Sequence, residues 1–214
     1  MKKQLIKAIH GYISDNKYQY AAVVAVLLTG LIWGAVSASS LGEDQYGNLT
    51  EYVNGFISSY GLQPISRGKV FITSLMSNLK TVFFLWLSAL WTPLIPFTLF
   101  QIGARGYKMG FSVGFLVSAY KAKGVLFAVM TLMPQMFVFL PALTVYAVFS
   151  IRYAIGLKKM RRNLKKGTAK KEMYFRCAVC TLGMAVTVLV CSLLDAYVIP
   201  PVLKPVCSYM AITR

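Results

Sequence analysis

The stretch that decides the fold class runs from Phe175 to Leu203 and reads FRCAVCTLGMAVTVLVCSLLDAYVIPPVL. It carries no charged residue between Arg176 and Asp195. A helix needs roughly 20 apolar residues to cross the hydrocarbon layer of a bilayer, which is about 30 Å thick. This stretch is long enough, and other parts of the chain have the same character. The sequence therefore predicts an all-α, polytopic integral membrane protein.

The composition supports this prediction. Hydrophobic residues make up 57% of the chain, above the share usual for soluble domains. The formal net charge is +17, which in a soluble protein would suggest binding to nucleic acid. Here the basic residues lie mainly between the hydrophobic segments, as they do in membrane proteins. We therefore expect the partner to be a lipid bilayer and expect no nucleic acid.

The hydrophobic pattern predicts a single membrane domain over residues 1–214, with about five transmembrane helices. The predicted spans are 20–38, 81–101, 106–120, 134–153 and 177–199. A basic, mildly amphipathic helix at 1–18 is expected to lie on the inner membrane face. Residues 39–80 are predicted to form the largest outer loop, with an amphipathic part at 70–80 whose Ser74, Ser77 and Asn78 face water.

Prolines are expected to divide two of the hydrophobic segments, because proline disrupts the interior of a helix. Pro134 should separate the fourth span from a short interfacial or re-entrant piece at 125–133. Pro200, together with Pro201, should end the fifth span.

The charged loops predict the orientation. Residues 157–176 hold the densest run of Lys and Arg, and a short turn at 102–108 adds Arg105 and Lys108. Positive loops face the cytoplasm, which places the N-terminus inside and the C-terminus outside. We also expect the loop at 157–176 to contact anionic lipid.

Small residues recur at every fourth position in two predicted spans. One stripe is formed by Gly106, Gly110, Gly114 and Ser118, and a second contains Gly30 and Gly34. Such stripes allow two helices to approach closely. They fit packing within one chain, and they also fit contact between copies in a homo-oligomer.

Asp195 is the most informative single residue, because a carboxylate within a membrane span is costly and is a functional candidate by default. We expect it near the outer end of the fifth span, where it could pair with an outer cation. The candidates for that cation are Lys204, Lys121, Lys123 and Arg67. Three roles stay open for Asp195: a structural pair, a contact with a partner protein, and proton or ion transport.

Four further residues are candidate functional or partner contacts. Gln135 is a polar residue beside Pro134, and its amide could bond backbone groups that the proline leaves free. Pro141 and Pro200 complete the set.

No catalytic motif or paired carboxylate is present, so we predict that the chain is not an enzyme. No metal or cofactor is expected. Cys177 and Cys180 form a CxxC, but no second pair and no nearby histidine completes a zinc site.

Three segments together resemble the stage II sporulation protein M family. They are GFSVGFLV at 110–117, MPQMFVFLPAL at 133–143 and DAYVIPPVL at 195–203. Broader relatives often carry Pro-His-Gly followed by Glu near Pro134, and this chain lacks that His and Glu. The family commonly has Glu where Asp195 stands, so the carboxylate is kept on a shorter side chain.

The resemblance implies a function that composition could not. It implies a multi-pass protein of the mother-cell septal or engulfing membrane, active in septal thinning and engulfment during endospore formation. It further implies a scaffold that localises two peptidoglycan hydrolases of the cell wall, stage II sporulation proteins D and P. The alternative from another class is a small transporter or permease subunit, which the proline-interrupted segments would favour.

Overall fold

The structure, a computed structural model, describes residues 16–60, 66–162 and 167–212. Within these ranges the side chains of residues 60, 133–135, 160–162, 167–173 and 210–212 are not described. The described residues form helices and short connections, and they contain no strand.

The first three helices are α1 (Lys17–Ser39), α2 (Glu43–Tyr60) and α3 (Arg67–Ala89). A short 3₁₀ turn at Thr92–Leu94 follows. The next segment, Ile95–Arg162, is helical except at Lys121, which divides it into α4 (95–120) and α5 (122–162).

The last part contains α6 (Gly167–Leu193), a π-helical turn at Leu194–Val198 and α7 (Ile199–Ile212).

Five helical stretches are long and apolar enough to cross a membrane. They are Lys17–Ser39, Arg67–Ala89, Thr92–Leu132, Met136–Lys159 and Tyr174–Tyr209. The predicted all-α fold of a polytopic membrane protein is therefore confirmed, whereas the predicted orientation of the chain in the membrane stays a prediction.

The break at Lys121 turns the chain back on itself. Lys121 has φ 51° and ψ −128°, and the backbone of Gly124 packs against the backbone of Leu116. Farther from the turn, Arg105 of α4 lies over the ring of Phe139 of α5. Contacts at matching distances on both sides of Lys121 show that α4 and α5 form an antiparallel hairpin.

The other helices continue this alternation of direction. Leu27 and Leu31 of α1 contact Gly106 and Gly110 of α4 in the same order along the chain, so α1 and α4 are parallel. The hydroxyl groups of Tyr146 in α5 and Thr181 in α6 lie 3.1 Å apart.

Tyr153 of α5 packs with Cys177 of α6. The order of these two contacts makes α5 and α6 antiparallel. The amphipathic helix α2 packs against α7 through Ile57, which is buried beside Leu203 and Val206.

The predicted second span, 81–101, is wrong as a single helix. The chain leaves α3 after Ala89 and starts a new helix at Ile95. Pro93 and Pro96 fall in the first turns of the new segment, where a missing N–H costs little. The amphipathic residues 70–80 belong to α3, so the predicted loop at 39–80 instead contains α2 and the first half of α3.

Three other predicted boundaries are also wrong. The turn expected at 102–108 lies inside α4, which begins at 95 rather than 106. Pro134 does not divide the fourth span, since the backbone is helical throughout 122–162. Pro200 does not end the fifth span, because the helix widens to a π turn and continues as α7.

Two predicted segments are described only in part. The predicted helix at 1–18 lies outside the described residues except for its last three positions, and α1 begins at Lys17. In the predicted inner loop at 157–176, α5 extends to Arg162 and α6 begins at Gly167, while residues 163–166 lie outside the described residues.

Candidate functional site

Arg105 lies in the interior of α4 and reaches across to α3. Its Nη2 atom donates hydrogen bonds to Asn78 Oδ1 at 2.8 Å and to Thr81 Oγ1 at 2.9 Å. A longer bond of 3.4 Å reaches the backbone carbonyl of Ser77. Asn78 is 1% exposed, so the expectation that it faces water is wrong. A guanidinium is thus held by neutral acceptors within a membrane-spanning helix.

Asp195 approaches the same place from the other end of the chain. Its Oδ2 accepts a hydrogen bond from Ser74 Oγ, and Ser74 Oγ in turn accepts one from Asn78 Nδ2 at 3.4 Å. The charge of Arg105 also acts on the carboxylate of Asp195. These four residues and Thr81 form one continuous set, which we call the polar network.

Phe139 covers the polar network from α5. Its ring is fully buried, and Arg105 Cζ lies 4.9 Å from the ring centroid. A cation over an aromatic face is attracted by the negative face of the ring. Because both charged groups are partly buried, the attraction between them is stronger than at a fully exposed surface.

The local sequence explains how the residues come together. Ser74, Asn78 and Thr81 lie four and three residues apart, so they share one face of α3. Asp195 lies in the π turn just before Pro200 and Pro201. Prolines clash with the preceding turn of a helix and lack an N–H, and a π turn accommodates them while shifting the residues it contains. Such turns are frequent at functional sites.

A cation that acts on Asp195 is Arg105, which sequence reasoning placed in a loop. Of the outer-side candidates, Arg67 lies over the ring of Tyr197, 5.9 Å from its centroid. The polar network thus combines two half-buried, opposite charges with hydroxyl and amide partners. No group of three or more His, Cys, Asp or Glu side chains that could hold a metal is present among the described residues.

The two glycine stripes lie against each other. A Cβ atom on Gly110 would lie 2.9 Å from the Cα of Leu31, and one on Gly114 would lie 2.9 Å from the Cα of Ala35. Gly30 similarly faces the backbone of Gly103, a fourth glycine of α4 that the predicted stripe did not include.

The remaining stripe residues differ in their surroundings. Gly34 faces the backbone of Tyr107, and Gly106 faces that of Leu27. Ser118 is exposed. Backbone contacts between α1 and α4 therefore extend along α4 from Gly103 to Gly114.

The other predicted contact residues are Pro134, Gln135, Pro141 and Pro200. The side chains of Pro134 and Gln135 lie outside the described residues. Pro141 is exposed on α5, and Pro200 is buried next to the π turn.

Sequence reasoning missed Ser74, Asn78, Thr81 and Arg105 as members of one site. The sequence contained a signal for the α3 part of the site and another for the α4 part. The three polar residues of α3 recur at helical spacing inside an apolar stretch, and Arg105 is a cation inside another. Treating 81–101 as one span concealed both signals, because it placed Arg105 in a loop and Asn78 outside the membrane.

Comparison with known proteins agrees with the sequence motifs. The sequence model of the family described as stage II sporulation protein M matches residues 23–200. No curated protein and no solved structure matches the chain. The family match extends from α1 to the start of α7 and includes Arg105 and Asp195. The chain therefore belongs to the stage II sporulation protein M family.

Proposed function

We propose that this protein is a non-catalytic scaffold of a peptidoglycan-degrading complex that acts in septal thinning and engulfment during endospore formation. Its location would be the septal or engulfing membrane of the mother cell. Its partners would be the peptidoglycan hydrolases known as stage II sporulation proteins D and P. The observation that carries the proposal is the family match over residues 23–200.

The form of the molecule supports a scaffold. The backbones of α1 and α4 are in close contact, and the polar network joins α3, α4 and the π turn. Both arrangements fix helices relative to one another, which is what a docking platform requires. Arg105 and Asp195 both form hydrogen bonds to side chains of α3.

A pull-down from sporulating cells tests the proposal. The tagged full-length protein, extracted in mild detergent, should retain both hydrolases, and a multi-pass membrane protein of similar abundance should retain neither. Failure to recover either hydrolase, with the tagged protein intact and located at the septum, would contradict the scaffold.

Two substitutions of Asp195 make the pull-down test more specific. Asp195→Glu restores the residue common in the family, so recruitment should be kept if the carboxylate holds the docking surface in shape. Asp195→Asn keeps the size of the side chain but removes its charge, and we expect weaker recruitment. Insertion and folding of each variant are measured first, because a misfolded protein would also lose its partners.

The alternative function is that of a small transporter or permease subunit, and the intramembrane pair of Arg105 and Asp195 favours it. Ionisable residues within spans often mark ion or proton pathways. The purified protein in proteoliposomes would then support an ion- or pH-driven flux that Asp195→Asn abolishes. A wild-type flux no larger than that of protein-free vesicles would reject this alternative.

A further inference from the structure

An open groove lies beside the polar network, between α3 and α4, on the surface of the helix bundle. Its volume is about 570 Å³. Its polar wall contains Lys80, Lys108 and the half-buried Arg105, with Ser77 and Gln101 beside them. Apolar side chains complete the lining, namely those of Ile72, Met76 and Phe84.

Both lysines lie in the interior of candidate membrane spans, Lys80 in Arg67–Ala89 and Lys108 in Thr92–Leu132. At about 1.5 Å per residue, Lys108 is about 20 Å from one end of α4 and about 18 Å from the other. Lys80 is about 14 Å from the nearer end of α3. The five bonds from Cα to the lysine Nζ reach less than about 8 Å, so neither ammonium can reach the end of its own helix by extending along it.

Neither lysine has an opposite charge to meet it within the described part of the chain. The side chains of Lys80 and Lys108 are exposed, and their ammonium groups take part in no hydrogen bond or ion pair among the described residues. Asp195 is the sole acid among the described residues of the five candidate spans. It already interacts with Ser74 and Arg105. The groove therefore carries an excess of positive charge.

The nature of the occupant follows from this charge. If lipid tails filled the groove, the ammonium groups of Lys80 and Lys108 would lie in hydrocarbon, which is costly. A second copy of this chain, placed groove to groove, would bring like charges together. A helix with a carboxylate at the same depth would neutralise the lysines, and its apolar residues would pack on Ile72, Met76 and Phe84.

We infer that this groove is the docking site for a transmembrane helix of another protein, one that carries an Asp or Glu at the level of Lys80 and Lys108. The inference goes beyond the proposed function and does not depend on the hydrolases being its partners. The occupant is recognised by this carboxylate, with apolar packing on either side of it.

The test uses synthetic helices of Leu and Ala with one central residue, either Glu, Gln or Lys. The full-length protein is reconstituted in phosphatidylcholine vesicles, and binding of each labelled helix is followed by energy transfer. We expect the Glu helix to bind at least tenfold more tightly than the Gln helix, and the Lys helix to bind most weakly. Equal binding of the three helices by the wild-type protein would overturn the inference, and this arm requires no variant to fold.

Variants locate the binding surface. Lys80→Met with Lys108→Met should reduce the preference for Glu over Gln to less than twofold. Lys204→Met, a change in an exposed lysine of α7 away from the groove, should leave the preference intact. Loss of the preference in Lys204→Met, or its retention in the folded double variant, would place the binding elsewhere.

Anionic lipid is the competing occupant. In vesicles that contain phosphatidylglycerol, lipid contact is measured by a labelled lipid at the same protein concentration. Enrichment of the anionic lipid around the wild-type protein but not around the double variant, together with equal binding of the Glu and Gln helices, would identify a lipid site and overturn the inference.

Discussion

The helix α4 presents two faces that hold their neighbours in opposite ways. Toward α1 it offers glycines, and the two backbones are in close contact. Toward α3 it offers Arg105, whose hydrogen bonds reach Asn78 and Thr81. The first contact depends on the absence of side-chain atoms on the glycines, and the second depends on charged and polar atoms that are partly buried.

The difference shows two solutions to the same problem. Lipid tails are as apolar as leucine, so hydrophobic burial alone does not hold helices together in a bilayer. Close packing of small residues gives many dispersion contacts. A buried polar network gives fewer but directional contacts, and each of its members depends on the others. Each face therefore predicts a different response to substitution.

The largest effect is expected on the glycine face. Gly110→Leu would place side-chain atoms where the backbone of Leu31 lies, and a backbone cannot move aside as a side chain can. We expect loss of folded protein, an effect beyond the about 1–3 kcal/mol of ordinary overpacking. The measurement is the yield and thermal unfolding of the protein in detergent.

Gly183→Leu is the matched control for this prediction. Gly183 is an exposed helical glycine of α6, and a Cβ atom there would meet nothing within 4 Å. Its replacement should leave the unfolding temperature unchanged or raise it. Equal behaviour of the two variants would mean that the contact between α1 and α4 is not needed for folding.

The next effect is expected on the polar face. Arg105→Met removes the hydrogen bonds of the guanidinium to Asn78 and Thr81, and a hydrogen bond to a charged group contributes about 1.5–3 kcal/mol. It also removes the positive charge that acts on the half-buried Asp195. Combining it with Asp195→Asn should recover part of that loss, because the second change removes the carboxylate charge that Arg105 no longer compensates. Free energies of unfolding for the four proteins of this cycle provide the measurement. Strictly additive effects would contradict an interaction between Arg105 and Asp195.

A smaller effect tests the hydrogen bond that ties Asp195 to α3. Ser74→Ala removes the donor to the carboxylate, and a hydrogen bond to a charged group contributes about 1.5–3 kcal/mol. Ser112→Ala serves as the control, because its hydroxyl donates to the carbonyl of Lys108 within the same helix. A comparable loss of stability in both variants would show that the hydrogen bond from Ser74 to Asp195 contributes no more than a local one.

The two faces also differ in how far the sequence predicts them. The glycine face follows from the spacing of Gly106, Gly110 and Gly114, since one helical period is enough to place them together. The polar face joins residues 74, 105 and 195, and no local pattern links them. Their meeting depends on where α3 ends, on the hairpin at Lys121 and on the π turn, all of which are decided by tertiary packing.

The predicted end of the third span at Tyr120 coincides with the end of α4, but the backbone conformation that turns the chain sharply at Lys121 could not be predicted from the local sequence. Its φ of 51° lies where side chains are disfavoured and glycine is not. The chain accepts this conformation because α5 packs back on α4, with Gly124 against Leu116 and Phe139 under Arg105. The turn at Lys121 therefore helps to hold Phe139 against Arg105, although it lies far from both residues along the chain.

The smallest predicted effect follows from that turn, and it is a gain. Lys121→Gly should relieve the backbone strain and raise stability by about 0.5–1 kcal/mol, the remainder of the strain being offset by the greater freedom of glycine in the unfolded chain. Lys158→Gly, at an exposed and regularly helical position near the end of α5, should instead lower stability by up to about 1 kcal/mol. Thermal unfolding of both variants in one detergent gives the comparison. A loss in both would show that residue 121 is helical in the folded protein, and α5 would then lie too far from α4 for Phe139 to cover Arg105.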